Sequence, residues 1–325
     1  MHCPTCFKAA GKFGKTRDGQ QRYRCADCAK TFSDPKPLAG KSTPMDKATM
    51  ALKMLLEGMS IRSTERLTGL HRDTIIGLMV RAGQQCQQFL KIVVLQKPFA
   101  NIQVDEQWGF VGCKDKTAFI KGYGAEVGDA YVYTAIDRTS KFLIAFHVGK
   151  RSSDDTWTFI EKLKGCISGR PQISTDGYSS YSQAVPMTFD YDVDFAQISK
   201  SYGNTDTTGQ RRYSPASITG VFHKVICGNP VERQISTSHV ERHNLSTRMA
   251  NRRMTRLTNA HSKKWENHEA MLALWYCWYN YCRPNMAFQK KGQRTVPTTP
   301  AMKAGLAKEV WTIDTLLSKS AIATM

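Results

Sequence analysis

Three acidic residues stand out because of their surroundings. Asp105 lies in Ile102-Gln103-Val104-Asp105-Glu106-Gln107-Trp108-Gly109-Phe110-Val111, an apolar run where a carboxylate is costly unless something positive meets it. Asp176 follows Pro171-Gln172-Ile173-Ser174-Thr175 and precedes Gly177-Tyr178, at the kind of strand end that exposes ligands. Glu241 stands in a helical stretch between His239 and Arg242, His243 and Asn244. Gathered together, three carboxylates repel one another, and a hard divalent cation reverses that repulsion. Magnesium or manganese suits such a cluster. Two ions about 4 Å apart would activate a water or a 3′-hydroxyl and stabilise the leaving oxygen of a phosphodiester. Asp105 would then bridge both ions, with Asp176 on one and Glu241 on the other. Each residue also has a plainer explanation: a buried ion pair for Asp105, a turn former before glycine for Asp176, and a capping box with Ser238 for Glu241. Glu106, Asp137 and His239 are candidates for supporting roles, although Asp137 at a strand end also reads as a turn residue.

A second chemistry-bearing group is Cys3-Pro4-Thr5-Cys6 and Cys25-Ala26-Asp27-Cys28, two C-x-x-C pairs separated by eighteen residues. Four thiolates at that spacing suit tetrahedral zinc in a small ribbon over 1–35, and four protein ligands leave no open position for catalysis. Cys86, Cys113, Cys166, Cys227, Cys277 and Cys282 lie among apolar neighbours and read as reduced core residues.

These groups need elements to position them. The stretch 36–44, rich in Pro, Gly, Ser and Lys, reads as a linker. Helical periodicity follows at Met50, Leu52, Leu55 and Leu56, again from Ile61 to Leu67, and in a third helix beginning near Asp73. With Gly69 in the last turn, this is the pattern of a helix-turn-helix over 44–92. His71, Arg72 and Thr74, at the start of the third helix, would face base edges. A plain three-helix bundle has the same periodicity.

From 98 to 283 the pattern predicts a mixed sheet: strands at 102–105, 130–136 and 142–148, a helix over 154–166, and a strand at 171–175. This order fits a ribonuclease-H-like α/β domain, and other mixed folds fit the periodicity too. The residues from 185 to 236 predict a strand at 193–196 and a polar insertion over 202–215. Helices are expected from 238 to about 254 and over 266–282. Asn244, Arg248 and Arg252 share one helical face there, which with Arg242 would hold phosphates; a solvated basic face is the alternative. Trp275, Trp278 and Tyr279 read as core. Residues 284–325, with Pro284, Pro297 and Pro300, predict an extended arm with a short helix near the end.

A net charge of +19 over 325 residues favours a polyanionic partner such as double-stranded DNA. No run of eighteen apolar residues could span a membrane, and no secretory signal is evident, so a cytoplasmic, nucleoid-associated protein is expected.

The motifs Asp105-Glu106-Gln107-Trp108-Gly109-Phe110-Val111-Gly112, Thr175-Asp176-Gly177-Tyr178 and Val240-Glu241-Arg242-His243-Asn244-Leu245, behind a zinc ribbon and helix-turn-helix, resemble those of DDE transposases of the bacterial insertion-sequence-one family. The resemblance runs from Cys3 to about Pro284. It implies a ribonuclease-H-like core, magnesium-dependent cleavage at element ends, strand transfer into target DNA, and action as a homo-oligomer on paired ends, with Asp105, Asp176 and Glu241 at the catalytic positions. The stretch between Asp176 and Glu241 departs from the shortest members by its length. A non-enzymatic DNA-binding regulator, and a nuclease acting on RNA or structured DNA, are the competing functions.

Overall fold

Two knuckle-like turns begin the chain. The Phe7 and Lys8 backbone closes on Cys3, the Cys25 amide donates to the Lys30 carbonyl at 3.0 Å, and Phe7 and Ala29 take left-handed φ values of 59° and 54°. Between and beyond them run the antiparallel strands β1 (Ala10–Lys15), β2 (Gln21–Cys25) and β3 (Thr31–Ser33). The coordinates, a computed structural model, describe residues 2–17, 19–33, 36–203, 217–256, 258–288 and 296–322.

Helices α1 (Met45–Leu56), α2 (Ile61–Thr68) and α3 (Arg72–Val93) follow. The Ser60 hydroxyl caps α2 by accepting from the Ser63 amide at 3.1 Å, and Gly69, at φ 69°, ends it. His71 Nδ1 accepts from the Asp73 amide at 3.3 Å and starts α3 one residue earlier than the periodicity predicts.

The remaining elements are β4 (Asn101–Val111), α4 (Asp115–Lys121), β5 (Gly128–Asp137), β6 (Leu143–Gly149), α5 (Ser153–Cys166), β7 (Gln172–Asp176), α6 (Tyr181–Thr188), β8 (Asp194–Tyr202), β9 (Ile218–Cys227), α7 (Ser238–Ala250), α8 (Trp265–Tyr281), α9 (Pro300–Lys303) and α10 (Ile313–Ile322). The sheet order is β6-β5-β4-β7-β8-β9, with β4 parallel to β7, β7 parallel to β8, and the other neighbours antiparallel. The expected α/β class with a mixed sheet is what the chain adopts.

Strand alternation sorts the two faces of this sheet. Asp105 pairs with Thr134, which pairs with Phe146, and Phe146 packs on Tyr276 at 5.0 Å, so this face is covered by α8. On the same face Gln103 accepts from the His239 and Val240 amides and docks the start of α7. The opposite face carries Glu106 and Tyr133. Phe159 of α5 packs on Tyr133 at 5.6 Å, and Tyr181 of α6 reaches Glu106.

The helices 44–92 are continuous with this core. Leu52, Ile75 and Met79 belong to the same buried cluster as Ile102, Phe159 and Trp275, so the change of periodicity near residue 95 is no break in packing. A Cβ on Gly83 of α3 would lie 2.1 Å from the Ala270 carbonyl of α8, which shows how closely those helices cross.

Other expectations change. The helix expected to reach about 254 stops at Ala250, where the Asn251 side chain accepts from the Arg253 amide and begins a short 3-10 turn. Residues 194–227 supply two full strands where one short strand was expected, and most of the polar insertion, 204–215, lies outside the described residues. Over its described residues the tail packs on the core where an extended arm was expected: Trp311 stacks on Tyr281 at 4.3 Å, and Asp314 of α10 accepts from Thr49 of α1 at 2.8 Å. Its apolar residues Ile313, Leu316 and Leu317 are buried, which outweighs the extended preference of its prolines.

Candidate metal centres and nucleic-acid interface

The four amino-terminal thiols lie together. Cys3 and Cys28 Sγ are 3.4 Å apart, Cys6 and Cys25 3.3 Å, and Cys6 and Cys28 3.7 Å. Four sulfurs at ~2.3 Å from a tetrahedral zinc would stand roughly 3.8 Å apart, so the cluster has the size and chemistry to hold zinc. Backbone hydrogen bonding, chiefly from the Cys6 amide, pulls the Cys3 thiol down to about 6 and that at Cys25 also lowers its thiol, whereas contact with those sulfurs raises Cys6 and Cys28; without a cation the four cannot all be thiolates. All ten cysteines are free.

The acidic site forms where two parallel strands part. β4 and β7 pair at Asn101–Gln172, Ile102–Ile173 and Gln103–Ser174 only. Two residues further on, where that register would place them level, stand Asp105 and Asp176. Glu106 joins them, and one carboxylate oxygen from each of the three lies within 4.8 Å of the others. Such a divergence at the carboxyl ends of parallel strands is a usual place for a ligand crevice.

The three carboxylates are held differently. Asp105 accepts from its neighbour's amide, Glu106 N, at 2.9 Å and from Asn244 Nδ2 of α7 at 2.8 Å. Burial, then the charges of Glu106 and Asp176, push its pKa up to about 7. Asp176 closes a turn by accepting from the Tyr178 amide at 3.0 Å, and Gln197 of β8 fixes that turn by donating to the Asp176 and Tyr178 carbonyls. Glu106 belongs to the α5–α6 layer. Arg151 donates to it from Nε at 2.8 Å and lies stacked over Tyr178, and the Tyr181 hydroxyl donates at 3.2 Å. Burial and then Asp176 raise the Glu106 pKa against the pull of Arg151. Among the described residues no positive side chain bonds Asp105; the Arg151 guanidinium feels the charge of Asp176 and Arg248 that of Asp105, without a hydrogen bond to either.

Glu241, expected as the third ligand, stands outside this group. Lys200 of β8 and the Thr237 hydroxyl, at 2.6 Å, take its carboxylate. Burial raises its pKa, but those hydrogen bonds outweigh it and hold the group below the ordinary carboxylate value. Asn244, one turn later on α7, is the residue that reaches Asp105. Asn244 was expected on a phosphate-holding face; it is 5% exposed and turned inward, its backbone carbonyl also accepting from Gln107. Arg242 and Arg252 are exposed, and Arg248 is half-buried. His71 and Arg72 are exposed at the start of α3 with Thr74 half-buried beside them.

Asp137 accepts from the amide and hydroxyl of Ser140, both at 2.6 Å, and is a turn residue. His239 contributes its amide to Gln103. Sequence reasoning missed Gln103, Gln107, Arg151, Gln197 and Lys200. A signal existed for the first two: polar residues at every second position, 101, 103, 105 and 107, mark one face of the strand, whose other face is apolar apart from Glu106.

No family model matches the chain. Among solved structures it is similar to the protein in a cryo-EM structure of a piggyBac transposase synaptic complex with hairpin DNA, at 12% identity and a TM-score of 0.35. The match covers 73% of this chain and 65% of that one. No described helix is long and apolar enough to cross a membrane.

Proposed function

We propose that the chain is a DNA transposase with a ribonuclease-H-like catalytic domain, resembling the insertion-sequence-one family, which cuts and joins DNA strands with a divalent cation at Asp105, Asp176 and Glu241. The observation that carries this reading is the meeting of carboxylate oxygens at the parting of β4 and β7, with no cationic side chain among the described residues bonded to Asp105. The strand order β6-β5-β4-β7-β8 around that point is compatible with the fold.

Glu241 is a better third ligand than Glu106. Residues three apart on a helix share a face, with Cβ atoms ~5–6 Å apart, so with Asn244 at Asp105 a rotamer change that frees Glu241 from Lys200 and Thr237 would turn it toward the same crevice. Its partner Lys200 is a single lysine in a part-exposed pair with a carboxylate that is itself 45% exposed, and surface pairs of this kind are worth only about 0–1 kcal/mol. Glu106 is 3% exposed, is tied to Arg151, and serves the opposite layer. The carboxylates would hold magnesium or manganese, which supplies Lewis-acid stabilisation of phosphodiester oxygens. The chain's own residues do the positioning: Asn244 orients Asp105, Gln197 fixes the Asp176 turn, and Gln103 sets the start of α7.

His71, Arg72 and Thr74 at the start of α3 would read the element ends, and Arg242, Arg248 and Arg252 would lie along phosphates. Zinc at Cys3, Cys6, Cys25 and Cys28 would be structural. Action as a homo-oligomer on paired ends belongs to the same reading.

The test is cleavage and strand transfer with magnesium on DNA carrying candidate end sequences. Glu241→Gln is expected to abolish both, and Glu106→Gln to leave activity measurable. The reverse ranking would make Glu106 the third ligand, and DNA binding by the wild-type chain without any cleavage would favour the regulator.

A further inference from the structure

Beyond Asp105, β4 runs on for six residues with β5 on one side and no pairing to β7 on the other. Along that free edge lie residues 253–256, 258, 259 and 261 of the segment leading into α8, and Ser262 meets Val111 in an isolated parallel bridge. Strand and segment line a cavity of about 540 Å³ whose walls include Trp108, Phe110, Lys114, Arg253, Arg256 and His261. That volume falls within the range of about 300–1,000 Å³ of small-ligand sites.

Its chemistry is mixed in a particular way. The Trp108 and Phe110 ring centroids are 5.8 Å apart, and His261 lies 4.4 Å from Phe110. Lys114 Nζ sits 5.3 Å from the Trp108 ring. Gly109, which alternates to the other side of the strand from the two rings, would place a Cβ 3.6 Å from Met254, another wall of the cavity. Aromatic faces beside cations are how proteins hold unpaired nucleic-acid bases, each base stacking while its phosphate meets Lys or Arg. An acidic peptide would satisfy the cations but not the rings.

From these observations we infer that this cavity takes an unpaired nucleobase from the DNA strand being processed at Asp105 and Asp176. The base lies against Trp108 and Phe110, and its phosphate faces Lys114 and Arg256. Trp108 is three residues from Asp105, about 10 Å along the strand at ~3.4 Å per residue and on the face that carries Glu106, so the base held is a nucleotide or two from the bond attacked, with the strand passing over the edge of β4. The inference rests on the DNA-processing reading above. It adds that the end must be partly unpaired to engage.

The test uses the full chain with its zinc and no added magnesium. Fluorescence anisotropy compares a blunt duplex of about two helical turns with the same duplex carrying a short oligothymidylate overhang. The wild type is expected to prefer the overhang by about 5- to 100-fold. Trp108→Ala should remove that preference and leave blunt-duplex affinity unchanged, and Trp108→Phe should keep most of it. Phe110→Leu, which retains apolar volume without a ring, guards against loss of fold and should weaken the preference several-fold while the melting temperature holds. No preference in the wild type, or an undiminished one in both Trp108→Ala and Phe110→Leu, overturns the inference. Because these measurements need no cleavage, a wild-type chain that prefers the overhang but never cuts DNA would sink the enzymatic reading alone.

Discussion

Replacing Asp105 by asparagine isolates the charge of the acidic cluster. Folding raises the Asp105 pKa from its ordinary 3.8 to about 7. Between those values the folded chain keeps a proton that the unfolded chain has lost, so this group's contribution to stability falls as pH rises through that window, and its full cost is present above about pH 7. Three pKa units at ~1.36 kcal/mol each amount to about 4 kcal/mol. With an unfolding entropy of about 2.1 cal/mol/K per residue, that corresponds to about 6 °C for a chain of 325 residues. Asparagine removes the charge and can keep both hydrogen bonds. The Glu106 amide still has an oxygen to meet, and a turned Asn244 amide can accept where it now donates, with Thr134 accepting in exchange. Without added magnesium, Asp105→Asn should therefore melt several degrees above wild type at pH 8, with the gap shrinking to less than half at pH 5. Magnesium should raise the wild-type melting temperature at pH 8 and leave the variant unmoved. Scanning calorimetry without chelator, so that zinc stays in place, makes the comparison. A variant that melts no higher than wild type at pH 8 and responds equally to magnesium would refute the reasoning.

Three further perturbations follow. Gly83→Ala places a methyl 2.1 Å from the Ala270 carbonyl, so denaturant unfolding should show a loss of at least about 1–3 kcal/mol as α3 and α8 are forced apart. Cys25→Ser should lower bound zinc by one equivalent in elemental analysis and weaken DNA binding while leaving the main melting transition in place, since Cys25 belongs to the separate three-stranded sheet. Arg72→Ala, at the exposed start of α3, should reduce affinity for element ends about tenfold and narrow their margin over random DNA; equal loss on both would mean a phosphate contact instead.

Much of this arrangement was legible in the sequence because local pattern and tertiary need agree. The C-x-x-C pairs have few alternatives to a metal knuckle, and Gly69 marks a helix end that the structure keeps. Asp105 and Asp176 announced themselves as charges in or after apolar strands, and the register of β4 with β7 places them side by side. What stayed hidden depends on partners distant in sequence. Asn244 looked like part of a basic helical face, and only the docking of α7 on β4 turns it toward Asp105. Glu106 looked like a neighbour of Asp105, and alternation sends it to the opposite layer, where Arg151 claims it. The prolines of the tail suggested an arm, whereas Trp311 stacking on Tyr281 fastens it to the core.

Whether a divalent cation is gathered at Asp105 and Asp176 is most directly read by electron paramagnetic resonance of added Mn²⁺. The wild-type chain should sequester Mn²⁺ tightly above pH 7, and Asp176→Asn, which leaves Asp105 and its Asn244 contact in place, should release it. An undiminished bound-Mn²⁺ signal in Asp176→Asn would show that the cation, if held at all, is held elsewhere.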